Sequence, residues 1–356
     1  MDYIEIGKSK IGLNHPTYFV ADIAANHDGD LSRAIDLIYK CADSGANAAK
    51  FQNFKAETIV SDYGFKSLNS KKSHQSSWEK SIYEVYDDAS ISLEWTSKLK
   101  AACSDAGIDY FTAPYDISLI DELDKYVAAW KIGSGDITWL ELIENLSKRG
   151  KTVLIATGAS SIEDVEKAMN ILGKNTNKVV LMQCNTNYTA SLENFKYVNL
   201  SVLKNYAKIF PEAILGLSDH TPYHSTTLGA ITLGARVIEK HFTDNTEREG
   251  PDHKFSMDPI TWREMVDRSR ELELSLGDGK KKVELNEKET VILQRRALRA
   301  KHDIKKGTIV TKEDIAALRP CPVDGLSPVH IQNVQGKKAN VDIQKGELIN
   351  PSNLNL

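Results

Sequence analysis

Residues 213–242, AILGLSDHTPYHSTTLGAITLGARVIEKHF, contain the unit that decides the fold of this chain. An apolar run ends in polar residues, a helix-patterned stretch follows, and a second run of the same kind comes next. The first 280 residues contain eight such runs: YFVADIAANH (18–27), AAKFQNF (48–54), DYFTAPY (109–115), AWKIGSGD (129–136), TVLIATGAS (152–160), VVLMQCNTNY (179–188), AILGLSDH (213–220) and RVIEKHF (236–242). Each run is short and rich in Val, Ile, Phe or Ala, which is typical of strands buried on both faces.

Amphipathic stretches separate the runs, most clearly at 31–44, 93–106, 162–172, 225–235 and 260–276. Eight alternating strand and helix units predict an α/β fold of the (β/α)8 TIM-barrel type, with a doubly wound sheet as the alternative. Active sites of such barrels lie at the C-terminal ends of the strands, so we expect the polar ends of the runs to share one mouth.

The chain has 356 residues, which leaves room for one small domain beyond a barrel of roughly 250 residues. We predict a catalytic barrel at 1–280, a charged linker at 281–296 and a small, mostly β domain at 297–356. Within the last part, DIKKGTIVTKEDI (303–315) and DIQKGELINPSNL (342–354) resemble each other.

A long polar loop is predicted at 55–90, between the second and third barrel strands. Loops of this length on the catalytic rim are commonly lids or substrate walls. His74 and Trp78 are candidates to close over a substrate, although a surface loop needs no such role.

Composition excludes several classes of function. A net charge of −4 with 41% hydrophobic residues is ordinary for a soluble protein and gives no basic excess for nucleic-acid binding. We expect no membrane segment and no export signal, because the N-terminus lacks a charged start before an apolar core and no apolar run is long enough to span a bilayer. The cysteines show no zinc or CxxC spacing, which favours reduced thiols in a cytoplasmic protein: Cys41, Cys103, Cys184 and Cys321.

His220 and His241 end the seventh and eighth runs, which places them at neighbouring positions on the predicted rim. Two imidazoles with nearby carboxylates suit a catalytic divalent metal. The carboxylates in question are Asp219, Glu239 and Asp252. The alternative is a pair of histidines hydrogen-bonded at the edge of the barrel.

Lys50 and Lys131 lie within apolar strands, where an unpaired ammonium would carry a large desolvation cost. Ser134 and Thr157, each beside glycine, add a hydroxyl and open backbone N–H groups, so we predict a site for phosphate and carboxylate groups. The alternative is internal ion pairing with Asp22, Asp136 or Glu239.

Further polar residues end the other runs and are candidates to bind a polyhydroxylated ligand: Asp22, Asn26, Gln52, Asn185 and Tyr188. For each of them alone, a solvated rim side chain or a loop cap is the alternative.

Several motifs in order resemble the sialic acid synthase, or N-acylneuraminate synthase, family: NHDGD (26–30), AKFQ (49–52), KIGSGD (131–136), ATGAS (156–160), GLSDHT (216–221) and EKHFTDNTEREGPDHKFSM (239–257). The C-terminal part, with LRPCPVDGLSP (318–328), is similar to the antifreeze-like (SAF) domain of these synthases. The resemblance covers nearly the whole chain.

This resemblance implies a transferase that condenses phosphoenolpyruvate with an N-acylated hexose and water, giving a nine-carbon 2-keto acid and phosphate. It implies a divalent metal, Mn²⁺ or Mg²⁺, and a domain-swapped homodimer in which Arg319 reaches the sugar in the partner's barrel. Two alternatives are a phosphoenolpyruvate aldolase of the 3-deoxy-octulosonate phosphate synthase type, acting on a phosphorylated sugar, and a binding protein without activity.

The resemblance also implies residue roles. His220 and His241 hold the metal, and Glu239, Asp22 and Lys131 are the catalytic group, with Glu239 handling a proton or orienting water. The substrate-binding set is Lys50, Gln52, Thr112, Ser134, Thr157, Asn185, Tyr188, Ser218, Asp252 and Arg319.

The chain also departs from the family pattern. Asp22 stands where the family usually has Glu, so we expect a different sugar pocket. N-acetylmannosamine and the di-N-acylated deoxyhexoses that yield legionaminic- or pseudaminic-type acids are both candidates. Ala113 and Ala156 replace hydroxyl residues, and we expect Thr112, Thr157 or water to substitute for them.

Overall fold

A computed structural model describes residues 3–68 and 80–354. The chain divides into two compact units, Met1–Gly277 and Asp278–Leu356. His74 and Trp78, the predicted lid residues, lie outside the described residues.

The first unit is a closed parallel barrel, which confirms the predicted fold class. A short antiparallel hairpin, β1 (Ile4–Ile6) and β2 (Ser9–Ile11), precedes it. The barrel strands are β3 (Tyr18–Asp22), β4 (Ala48–Asn53), β5 (Asp109–Pro114), β6 (Ala129–Ile132), β7 (Thr152–Ala156), β8 (Val179–Cys184), β9 (Ile214–Asp219) and β10 (Ala235–His241). Each pairs with the next, and β10 closes the ring on β3.

The helices of the first unit surround these strands: α1 (Leu31–Asp43), α2 (Ala56–Ile59), α3 (Asp62–Ser67), α4 (Ile82–Ala89), α5 (Leu93–Asp105), α6 (Ile120–Leu123), α7 (Leu140–Ser147), α8 (Ile162–Asn175), α9 (Val202–Ile209), α10 (Ser225–Thr232) and α11 (Pro259–Leu276). Local capping fixes several starts; the Asp30 carboxylate, for example, accepts from the backbone N–H of Ser32 at the start of α1. Among the described residues, no helix is both long and apolar enough to cross a membrane.

Side chains alternate between two cores along each barrel strand. Phe19, Phe51 and Trp130 pack outwards against the helices. Val20 and Phe111 pack into the barrel interior. The N-terminal hairpin adds Ile4, Ile6 and Ile11 to this inner core, so it closes the N-terminal end of the barrel and leaves the opposite end for a site.

The predicted long loop between β4 and α5 contains the short helices α2, α3 and α4. Helix α4 begins with a capping box in which Ser81 and Glu84 satisfy each other's backbone N–H groups. The described part of this insertion is therefore locally ordered at the barrel rim.

The second unit contains α12 (Lys288–Gln294), β11 (Ala297–Ala300), β12 (Ile315–Leu318) and α13 (Ile331–Val334). Residues 281–296, predicted as a linker, thus include a helix that belongs to this unit. The two similar segments pair with each other, since Ile304 and Ile343 exchange two backbone hydrogen bonds of 2.8 Å. Gly307 donates to Ala339 and Gly346 donates to Ala300 in the same symmetric manner.

Candidate active site

A layer of charged side chains lies inside the barrel, above the apolar inner core. Asp22, Lys50, Lys131 and Glu239 come from β3, β4, β6 and β10 and point inwards because they keep the alternation of each strand. All four are at most 3% exposed. Charges buried this deeply require direct partners.

The four charges form a connected cluster. Lys50 Nζ lies 2.6 Å from Asp22 Oδ2 and 3.6 Å from Glu239 Oε1. Lys131 Nζ lies 2.7 Å from the same Glu239 oxygen. Ser218 Oγ donates to it at 3.3 Å. The predicted alternative of internal ion pairing is thus realised, and the two lysines also face a cavity.

The neighbouring charges favour the ionised forms of Glu239 and Lys50. Burial alone would raise the pKa of Glu239, but Lys131 and Lys50 outweigh it and lower that pKa to about 2. Burial would likewise lower the pKa of Lys50, and attraction to Asp22 and Glu239 leaves it raised. For Asp22, burial outweighs the attraction of Lys50, and the pKa of that carboxyl group is raised.

A cavity of about 410 Å³ opens above the cluster at the C-terminal ends of the strands. That volume suits a small-molecule ligand. Eleven of the predicted site residues line it: Asp22, Lys50, Gln52, Lys131, Ser134, Tyr188, Ser218, His220, Glu239, His241 and Asp252.

His220 and His241 lie side by side on one wall of the cavity, with ring centroids 5.3 Å apart. Tyr188 packs 4.3 Å from the His220 ring, and Phe255 packs 4.9 Å from the His241 ring. Burial lowers the pKa of His220 to about 3 and that of His241 to about 4, so both imidazoles are neutral at pH 7.

The free nitrogens of this pair fit a metal. Nδ1 of His220 contacts the Asn185 carbonyl oxygen at 2.9 Å, which orients that ring and leaves its Nε2 for another partner. Nδ1 of His241 is buried without a hydrogen-bond partner among the described residues. Neutral imidazole is the form that binds a divalent ion, and a two-histidine site leaves positions for water and substrate.

The carboxylates that were predicted to lie near the histidines do not all face the cavity. Asp252 Oδ2 lies 4.0 Å from His241 Nδ1 and accepts from the Ala25 backbone N–H at 3.1 Å. Asp219 instead faces out of the barrel and pairs with Lys240. Within residues 3–68 and 80–354, no cluster of three or more His, Cys, Asp or Glu side chains could hold a metal by itself.

Three of the predicted substrate-binding side chains do not line this cavity: Thr112, Thr157 and Asn185. Thr112 donates to Asn53 Oδ1 at 2.6 Å, and Thr157 donates to the Met182 carbonyl, both on the outer face of their strands. The Asn185 side chain donates to the Tyr197 carbonyl. Arg319 lies in the second unit, where its Nε donates to the Gln294 carbonyl.

Other residues line the cavity without having been predicted as ligand contacts. Asp136 is the last residue of the KIGSGD motif, and burial raises its pKa to about 6. Tyr115 lies after β5, and its hydroxyl would be 2.8 Å from a Cβ at Gly133, so a side chain at that position would displace the tyrosine ring. The remainder are mostly apolar: Phe54, Ile59, Val85, Tyr86, Ala89, Ala156 and Cys184.

The closed barrel and the side chains at its mouth define a (β/α)8 barrel with a ligand-sized cavity at the catalytic ends of its strands. The chain belongs to the NeuB family, which it matches over residues 37–281, and residues 295–355 match the SAF domain. The predicted family, the predicted fold class and the prediction that the chain is an enzyme of this family are confirmed.

Named relatives cover almost the whole chain. An N,N'-diacetyllegionaminic acid synthase of Campylobacter jejuni is 33% identical over 94% of this chain and 98% of its own length. A pseudaminic acid synthase of the same species is 32% identical over 93% of this chain and 95% of its own length. The solved N-acetylneuraminic acid (sialic acid) synthetase of Leptospira borgpetersenii is 28% identical, with a TM-score of 0.70 over 81% of this chain and 95% of that one.

Proposed function

We propose that this protein condenses phosphoenolpyruvate with an N-acylated hexose and water, forming a nine-carbon 2-keto acid and releasing phosphate. The observation that carries the proposal is the convergence of two lysines, two neutral histidines and four carboxyl side chains on one cavity of about 410 Å³. Membership of the NeuB family supports the same reaction.

Lys50 and Lys131 bind the phosphate and carboxylate of phosphoenolpyruvate in this proposal. Both ammonium groups line the cavity and are already held in place by Asp22 and Glu239, so little side-chain order is lost on binding. Ser134 lies beside them, and its Oγ accepts from the Gly158 N–H at 3.0 Å. Gly158 permits this approach, since a Cβ there would be 2.9 Å from that oxygen.

His220 and His241 would hold the divalent metal, for which we take Mn²⁺ as the first candidate. When bound, such an ion supplies Lewis-acid polarisation of the open-chain sugar aldehyde.

The reaction forms one carbon–carbon bond and one carbon–oxygen bond and breaks the bond between C2 and the phosphate oxygen. C3 of phosphoenolpyruvate bonds to the aldehyde carbon, the water oxygen bonds to C2, and phosphate leaves from C2. One proton of the water ends on the former aldehyde oxygen and the other on the departing phosphate. Glu239 is ionised because its pKa is about 2, so it suits the role of orienting the water as a hydrogen-bond acceptor. Its Oε2 is buried without a partner in the described part of the chain and is available for this contact.

The acceptor sugar lies between a polar and an apolar wall. Asp22, Gln52, Tyr188 and Asp252 offer groups for its hydroxyls and amides. The apolar wall is formed by Phe54 and the ordered insertion, through Ile59, Val85 and Ala89, and suits the methyl groups of N-acyl or deoxygenated positions. N-acetylmannosamine and di-N-acetylated trideoxyhexoses are both candidates, and the names of the Campylobacter relatives favour testing the latter first.

The cavity gives little support to the alternative reaction with a phosphorylated sugar. A second phosphate would need cations of its own. Among the described residues that line the cavity, Lys50 and Lys131 are the only lysines or arginines, and both are assigned to phosphoenolpyruvate.

We further propose a homodimer in which Arg319 of the SAF domain contacts the acceptor in the partner's barrel. Substituting Arg319 by Ala should raise the KM for the sugar without changing Mn²⁺ binding. Sedimentation of the full chain tests the dimer.

The four cysteines are all free thiols, which supports a cytoplasmic location.

The test of the proposed function is phosphate release from phosphoenolpyruvate with Mn²⁺. The acceptor panel is N-acetylmannosamine, mannose and the di-N-acetylated trideoxyhexoses, with a chelator as the control. Chelator-sensitive release with one N-acylated sugar is expected. Release with phosphorylated sugars alone would overturn the proposal.

A further inference from the structure

A buried ion pair lies on the outer face of the barrel, directly behind the two histidines. The register of β9 and β10 places Asp219 beside Lys240. Both side chains face away from the cavity, whereas Ser218, Glu239 and His241 line it. Lys240 is 1% exposed and Asp219 is 3% exposed.

The Lys240 ammonium holds the chain on both sides of His220. Its Nζ lies 2.5 Å from Asp219 Oδ2 and donates to the Thr221 carbonyl oxygen at 2.6 Å. His220 stands between these two residues in the sequence, and Lys240 itself immediately precedes His241. The backbone at both histidines is therefore tied to one buried charge.

The Asp219 carboxylate also accepts hydrogen bonds from Thr221 and Thr226. Thr226 Oγ1 of α10 donates to Oδ2 at 2.6 Å, Thr221 Oγ1 donates to the same oxygen at 2.8 Å, and the Thr221 N–H donates to Oδ1 at 3.2 Å. Such a fully hydrogen-bonded buried network restricts the ends of β9 and β10 to one conformation.

We propose that Asp219 and Lys240 are a positioning pair that fixes the spacing of the His220 and His241 rings and so sets the metal affinity of the site. Neither residue touches the cavity, so the pair acts only through the histidines. The inference rests on the proposed function for the role of the metal, while the placement of the rings is testable without it.

The first experiment titrates Mn²⁺ into metal-free, full-length protein and follows free Mn²⁺ by electron paramagnetic resonance. Lys240→Met should weaken Mn²⁺ binding by about tenfold or more, the range typical of residues that orient metal ligands. It should also lower the unfolding midpoint, because it leaves the Asp219 carboxylate buried and unpaired. The Asp219→Asn/Lys240→Met double variant removes that charge, so its stability should recover while its Mn²⁺ affinity stays low.

Ile231→Ala is the matched control. Ile231 is fully buried on α10, the helix that carries Thr226, and contributes no atom to the ion pair. It should lower the unfolding midpoint with an unchanged Mn²⁺ dissociation constant. A double variant that folds and binds Mn²⁺ as tightly as the parent would overturn the inference.

The second experiment needs no metal and measures the rate at which diethyl pyrocarbonate modifies each histidine. His220 and His241 are 7% and 6% exposed, so they should react slowly in the parent. Both should react faster in the double variant, whereas the fully buried His253 should not. Failure of the parent to bind Mn²⁺ would count against the proposed function, and unchanged modification rates would count against the positioning pair.

Discussion

The Lys131 ammonium and the Glu239 carboxylate lie 2.7 Å apart, although β6 and β10 stand on opposite sides of the barrel ring. The pair therefore crosses the barrel interior and forms the floor of the cavity. Lys50 approaches the same Glu239 oxygen from β4, so one carboxylate is shared by two cations. Lys131 has Glu239 as its ion-pair partner, and Lys50 shares its charge between Glu239 and Asp22.

Replacing Glu239 by Gln should lower kcat/KM at least 100-fold, equivalent to about 2.7 kcal/mol, because the lysines lose their shared counter-charge and the water loses its acceptor. The free energy of unfolding should fall by about 3 kcal/mol, as expected when one partner of a buried pair is removed. Phosphate release and urea denaturation measure the two effects. Glu144→Gln, which breaks an exposed pair with Lys148, is the control and should stay within about 0.5 kcal/mol. A Glu239→Gln enzyme with parental kcat/KM would exclude the role proposed for this carboxylate.

Substituting Lys50 by Met should raise the KM for phosphoenolpyruvate roughly 10- to 100-fold, the range expected for losing a charge-assisted contact to an anion. The KM for the sugar should change much less, because Lys50 is assigned to the other substrate. Initial-rate kinetics with each substrate varied in turn make the comparison, and Lys98→Met at an exposed position of α5 is the control. An equal rise in both KM values would contradict the assignment.

The pH dependence of stability should change on substituting Asp136 by Asn. Burial raises the pKa of Asp136 from 3.8 to about 6, so the folded state favours its protonated form. Asp136 therefore contributes most stability below pH 3.8 and loses that contribution as the pH rises through 6. Asp136→Asn should be more stable than the parent by up to about 3 kcal/mol at pH 8 and equal to it near pH 3. Urea denaturation at several pH values tests this, and lower stability of the variant at pH 8 would show the sign to be wrong.

The N-terminal hairpin should contribute to stability and not to catalysis. Ile6 is fully buried in the inner barrel core, so Ile6→Ala should cost about 3 kcal/mol of unfolding free energy. The hairpin lies at the end of the barrel opposite the cavity, so kcat and both KM values should match the parent. Leu13 is 66% exposed, and Leu13→Ala supplies a control of similar chemistry that should change stability by less than about 0.5 kcal/mol. A change in KM for Ile6→Ala at full folding would connect the hairpin to the site.

The eight barrel strands were predictable because each is a short apolar run buried on both faces, and the large helices because their apolar stripes are long. The hairpin was not predictable, since its strands Ile4–Ile6 and Ser9–Ile11 are too short for a periodic pattern to emerge. The helices of the insertion were missed for a similar reason, because α2 has four residues and α3 has six.

The site residues that could be predicted are charged groups inside apolar strands, because the sequence itself shows that such groups need a partner. Lys50 and Lys131 stand out because an ammonium inside an apolar strand needs a counter-charge. The neutral hydroxyls of Thr112 and Thr157 need no counter-charge, so the sequence does not single them out in the same way. A strand that is apolar on both faces does not reveal which face points inwards, and these two hydroxyls lie on the outer one. The apolar wall could not be predicted, because Ile59, Val85 and Ala89 come from an insertion whose sequence shows no helix or strand periodicity.

The closure of the barrel by β10 has a consequence for how the chain acquires its native state. His241 aligns with Asp22 of the first barrel strand, and Glu239 on the same last strand supplies the counter-charge of Lys131. During synthesis both lysines emerge well before that carboxylate, so a nascent chain that lacks β10 cannot bury Lys131 at acceptable cost. Ring closure and charge compensation therefore coincide in one late step, and chains cut before residue 239 should remain unfolded instead of accumulating as stable partial barrels.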